Sequence, residues 1–110
     1  MEMKIVILES AEYDLKELKN YLVKNFSVET WENTYIKLKK VIRNLKAFPD
    51  MGTIPDELEK LNISQYRQVI SGMNRIIYEI RWHTIYIHVI MDTRRDTMSL
   101  LTRRLLRIVK

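Results

Sequence analysis

The chain has 110 residues, 46% apolar and 30% charged, a composition that fits one globular domain and excludes a disordered chain. It contains no cysteine, which removes disulfides, thiol catalysis and cysteine-based metal sites, and no apolar run approaches the roughly 20 residues of a membrane span. The net charge of +5 is uneven: thirteen Lys and Arg face twelve Asp and Glu up to Met91, and six face two from Asp92 onward.

Residues 3–8 (Met-Lys-Ile-Val-Ile-Leu) form a short β-branched run that predicts a buried strand. The four apolar residues after Lys4 are too few for a signal-peptide core, so a cytoplasmic location is expected. Ser10 is the expected N-cap of a first helix, with Glu12 and Asp14 in its first turn. Ala11, Leu15, Leu18, Leu22 and Phe26 recur at helical spacing along it. Ser27 is the expected cap of a second helix, whose stripe runs through Val28, Trp31, Tyr35, Leu38, Ile42 and Leu45; Trp31 and Tyr35 are assigned to the core. The short joint between the two implies an antiparallel helical hairpin.

Pro49 ends the second helix near Phe48. Pro49, Gly52 and Pro55 punctuate a loop, and residues 56–61 add one helical turn. After Ser64 the periodicity changes from 3.6 to 2. Strands are predicted at 66–70, 75–80 and 85–91, joined by the hairpin turns 71–74 and 81–84. In the middle strand Ile76, Tyr78 and Ile80 share one face, and Arg75, Ile77 and Glu79 the other. In the last strand His88 opposes Ile87 and Val89. Asp96 is the expected cap of a final helix with Met98, Leu101, Leu105 and Ile108 on one stripe and Arg103, Arg104 and Arg107 off it. The order predicts an α+β fold, β-α-α-β-β-β, with a helical hairpin on a mostly antiparallel sheet and a C-terminal helix, in a single domain covering 1–110.

Catalytic constellations are scarce. Two glycines are too few for a dinucleotide or Walker fingerprint, and neither His83 nor His88 has a partner at metal-ligand spacing, so no metal and no cofactor is expected. Arginines are the informative set. Arg67, Arg75 and Arg81 come from the strand region, Arg94 and Arg95 follow the last strand, and Arg103 and Arg104 lie on the final helix. If Arg75 and Arg94 converge across the sheet, they form a clamp for phosphate or carboxylate; the alternative is local pairing with Glu79, Asp92 and Asp96. Trp82, in a turn, is a candidate for stacking or for a protein contact.

Element order and local sequence together resemble the ParE/RelE superfamily of bacterial toxins from type II toxin–antitoxin modules. The resemblance rests on residues 5–22, the loop 48–52 (Phe-Pro-Asp-Met-Gly), the strand 75–80 (Arg-Ile-Ile-Tyr-Glu-Ile) and residues 87–96, which end Thr-Arg-Arg-Asp. RelE-like members are ribonucleases that cut mRNA on the ribosome, and likeness to them implies Arg75 and Arg94 as catalytic cations. Tyr66 and Gln68 stand where that pattern carries lysines, and no Tyr or His follows His88. The departure favours the ParE-like branch, known for inhibiting DNA gyrase without catalysis and for a role in plasmid stabilisation. The resemblance implies a cognate antitoxin, ParD-like or another DNA-binding type, in a hetero-oligomer that reaches operator DNA only through the antitoxin. It implies no membrane association. Arg67, Arg75, Trp82, Arg94, Arg95, Arg103 and Arg104 are the expected contacts to target or partner.

Overall fold

A computed structural model describes residues 3–94 and 97–105. Its elements follow the predicted order: β1 (Lys4–Ile7), α1 (Glu9–Asn25), α2 (Val28–Asn44), α3 (Asp56–Glu59), β2 (Tyr66–Ser71), β3 (Asn74–Arg81), β4 (Thr84–Asp92) and α4 (Thr97–Leu105). The sheet order is β1-β4-β3-β2. Hairpins make β2–β3 and β3–β4 antiparallel. The two-helix crossover returns the chain so that β1 lies parallel to β4.

Helices α1 and α2 cover the inner face of the sheet. Ala11, Leu38, Ile42 and Leu45 pack there on Val69, Ile76, Tyr78, Ile85, Ile87 and Ile90. Short α3 and α4 cover part of the outer face, where Leu58, Leu100, Leu101 and Leu105 meet Tyr66, Ile77, Val89 and Met91. Two apolar layers on one sheet explain why Val89, Ile90 and Met91 are all buried in sequence, although a one-sided strand alternates.

The structure departs from the expected local chemistry at four places. Leu8, not Ser10, is the N-cap of α1, and its side chain makes no capping bond. The Leu8 N–H donates to Ile87 O while its own carbonyl already accepts from Ala11 and Glu12, so the chain turns directly from strand into helix. Ser10 Oγ instead donates to His88 O at 3.4 Å. Ser27 caps α2 as expected, accepting from Thr30 N at 3.0 Å. Trp31 and Tyr35 do not enter the core: they stack on each other at 5.1 Å near the surface, with Lys39 above the Tyr35 ring. Phe26 stands at the end of α1, largely exposed.

The fourth departure resets a strand. Ile77 pairs with Val89, but Tyr78 pairs with Ile87, which leaves His88 as an extra residue in β4. This β-bulge shifts the alternation by one. Ile87 therefore faces the inner core and Val89 the outer one, so His88 no longer divides a single apolar face. Asp96, the expected cap of the last helix, and Ile108 and Arg107 lie outside the described residues.

Candidate functional site

Both faces of the sheet carry candidate arginines, and the fold distributes them. Arg67 alternates with its neighbours onto the inner face, where Nη1 donates to Gly52 O at 2.8 Å. Its guanidinium also lies 3.8 Å from the Asp50 carboxylate. Arg75 points from the outer face. It bonds Glu57 of α3 at 3.1 Å, with side-chain exposures of 13% and 17%. Burial alone would push the Glu57 carboxyl up, but the Arg75 hydrogen bond and charge, with its own backbone N–H and Lys60, hold it below its ordinary value of 4.5.

Arg94 follows β4 and lies on the α1 side of the sheet. Its Nε and Nη2 clamp the two Asp92 oxygens at 3.0 and 2.7 Å, and the hydrogen bonds and charge of Asp92 favour the protonated guanidinium still further. Arg94 shares a cleft of about 450 Å³ with Leu18, Tyr21, Asn74 and Ile90. Arg75 and Arg94 therefore do not converge: one is held under α3, the other beside α1. The alternative of local pairing describes both, although the partner of Arg75 is Glu57 and not Glu79.

Arg104 is placed by a different need. Because β1 ends at Ile7, the edge of β4 beyond Ile87 has no strand beside it. Backbone groups there still require partners. Asp14 of α1 accepts from Ile90 N at 3.0 Å, and Arg104 of α4 grips both Asp14 oxygens at 3.0 Å each while donating to His88 O at 2.9 Å. An Asp in the middle of α1 and an Arg on the off-stripe side of α4 thus close the strand edge and fasten α4. Arg103, its neighbour, is exposed. Arg95 lies outside the described residues.

Sequence reasoning missed a polar cluster centred on the bulge. His88 Nε2 meets Glu79 Oε1 at 2.9 Å, and Arg81 Nε approaches the same oxygen at 3.4 Å. The Tyr66 ring stands edge-on to the imidazole at 5.1 Å. Burial, then the Glu79 charge, raise the Tyr66 hydroxyl pKa above its usual value. Arg81 lies over the Tyr86 ring at 4.5 Å. The signal in the sequence was the register of Tyr66, Glu79 and Tyr86, which are successive neighbours across three strands; the bulge that brings His88 to them leaves no mark in the periodicity. Trp82 protrudes from the β3–β4 turn, 93% exposed.

Among the described residues no group of three His, Asp or Glu side chains is placed to hold a metal ion, and no helix is long and apolar enough to cross a membrane.

Comparison with known proteins places this arrangement. No curated protein matches by sequence. Among solved structures, the chain is similar to one described as a chromosomal ParDE TA system from P. aeruginosa: the TM-score is 0.69 at 14% identity, covering 83% of this chain and 96% of that one. Likeness at that identity establishes the fold. A family model described as the ParE toxin of the type II toxin-antitoxin system parDE matches residues 5–97, from the first strand into the start of α4. The chain therefore belongs to the ParE toxin family of type II toxin–antitoxin systems.

Proposed function

We propose that this toxin acts by binding and not by catalysis: it inhibits DNA gyrase and is held inactive by a cognate antitoxin. The observation that carries the non-enzymatic reading is the separation of Arg75 and Arg94 on opposite sides of the sheet, each already paired with a carboxylate. Cleavage of a phosphodiester by these residues would require both guanidinium groups on one phosphorane. Membership of the ParE toxin family supports gyrase as the target.

Among the candidate arginines of the described residues, Arg94 and Arg103 are exposed and are the ones offered to an outside partner; Arg95 lies outside the described residues. Arg67, Arg75 and Arg104 serve the fold. The antitoxin finds apolar ground along the α1 side, where Tyr21 and Phe26 meet edge to face at 6.3 Å and remain exposed. A segment that orders on binding would bury these rings and set its acidic residues against the exposed cations. Operator DNA is reached through the antitoxin.

Two assays on the purified chain separate the readings. Gyrase supercoiling should be inhibited, and mRNA in a translation extract should stay intact. Cleavage without any effect on supercoiling would overturn the proposal in favour of an endoribonuclease.

A further inference from the structure

The two hairpin turns of the sheet have the same shape and different residues. Ser71 pairs with Asn74 around Gly72–Met73, and Arg81 pairs with Thr84 around Trp82–His83. In each turn only the first residue has a positive φ, 60° at Gly72 and 57° at Trp82. That is the pattern of a type II′ turn, whose first position belongs to glycine on steric grounds. Gly72 satisfies it. Trp82 puts a bulky β-carbon in the left-handed region, where such residues are rare. Being 93% exposed, it recovers almost nothing through burial. Neither turn geometry nor core packing accounts for tryptophan there. A contact outside the chain would account for it.

The sheet surface beside Trp82 indicates the partner. Arg81, Thr84 and Lys4 are direct neighbours across β3, β4 and β1, so they share one face. The next row on that face is Tyr66, Glu79, Tyr86 and Val6. Helix α4 packs farther along, on Ile77, Val89 and Met91, and leaves Lys4, Val6 and Arg81 exposed. The carboxylate in these rows, Glu79, is 13% exposed and turned toward His88 and Arg81. Outward charge on the surface is therefore cationic. Arg81 stands over the Tyr86 ring at 4.5 Å with its Nε 3.4 Å from Glu79 Oε1, and its side chain, still 56% exposed, presents the rest of the guanidinium to a phosphate.

We propose that this open outer face, with Trp82 at its tip, binds single-stranded nucleic acid. A base stacks on the Trp82 ring while Arg81 and Lys4 hold the neighbouring phosphates. The exposed large apolar side chains of the tip and these two rows are Trp82 and, at the edge strand, Val6 at 39%, too few to form the continuous apolar centre that a protein–protein interface buries. One projecting π-face among cations is what a flexible polyanion needs. This surface is separate from the α1 side and from Arg94, and its existence does not depend on gyrase being the toxin's target.

The test titrates the full-length chain into short fluorescein-labelled oligouridine and oligothymidine at low salt, following anisotropy. Binding is expected to both, because stacking is tolerant of base and sugar. Trp82→Asn, with a residue suited to positive φ, should weaken it about 5- to 160-fold, which corresponds to a stacking loss of about 1–3 kcal/mol, while the melting temperature stays level or rises. Lys4→Ala with Arg81→Ala should lower the slope of log K against log salt by about 1.4, two single-strand phosphate contacts. No binding at low salt, or a Trp82→Asn variant that binds as tightly as the parent, would overturn the proposal. So would a variant that keeps its oligonucleotide affinity but loses gyrase inhibition, since that result assigns Trp82 to a protein contact.

Discussion

Tyr78 reaches from the inner face of the sheet into the loop after α2, where its hydroxyl donates to Pro49 O at 2.7 Å and accepts from Gly52 N at 3.0 Å. Burial raises its pKa above the usual phenol value, so it stays a neutral donor. Removing only the oxygen, in Tyr78→Phe, strands two loop groups and should cost about 1–3 kcal/mol in urea unfolding. Gly52 lies against the same hydroxyl. A β-carbon there would stand 2.5 Å from Gln68 O and 2.6 Å from Tyr78 Oη, so Gly52→Ala should cost at least about 2 kcal/mol. Trp82 presents the converse case. Trp82→Asn should stabilise the fold by about 0.5–1 kcal/mol, because it removes part of the roughly 1–2 kcal/mol that a left-handed β-carbon costs; a lower melting temperature would show that the ring supports the fold. The loop around Gly52 was legible in Pro49, Gly52 and Pro55. Its clamp by Tyr78 was not, since nothing in a strand's alternation says that an inward tyrosine ends on a carbonyl 29 residues earlier.

The elements themselves were largely legible: helix stripes, hairpin spacing and the Ser27 cap placed every strand and helix in order. Failures came where tertiary demands override local signals. Ser10 reads as a cap, but the neighbouring strand edge takes its hydroxyl; the bulge at His88 resets β4 so that it can serve two cores. The attachment of α4 could not be read because its partners, Asp14 and Arg104, are 90 residues apart. Asp14→Ala removes the acceptor for Ile90 N and unpairs a mostly buried guanidinium. We expect it to cost about 1–3 kcal/mol, with hydrogen exchange rising first in α4. The attachment of α3 is sensitive to acid. Glu57 has a pKa below 4.5 in the fold, so its contribution is present above that value and is lost as the pH falls through the folded pKa. Glu57→Gln should therefore flatten the acid limb of the stability curve relative to the parent; parallel limbs would mean that the Arg75 pair contributes nothing.

At the scale of the whole molecule, charge is less available than composition implies. The excess of basic residues after Asp92 marked a cationic rim, yet Arg94 is clamped by Asp92 and Arg104 is committed to Asp14. What the fold exposes of the candidate residues is narrower: Arg94 at the edge of a cleft beside α1, Arg103 on α4, and an outer sheet surface with Trp82 at its tip. Arg94 is exposed, and exposed charges contribute little to stability, so we expect Arg94→Ala, alone or with Arg95→Ala, to change unfolding by no more than about 0.5 kcal/mol while weakening growth inhibition. A double variant that fails to fold would make these residues structural. The central claim, that the toxin disables a topoisomerase by binding it, is tested most directly on plasmid topology in cells expressing the chain without an antitoxin. Relaxed topoisomers should accumulate while mRNA 5′ ends stay unchanged. Unaltered supercoiling with new mRNA 5′ ends would contradict it.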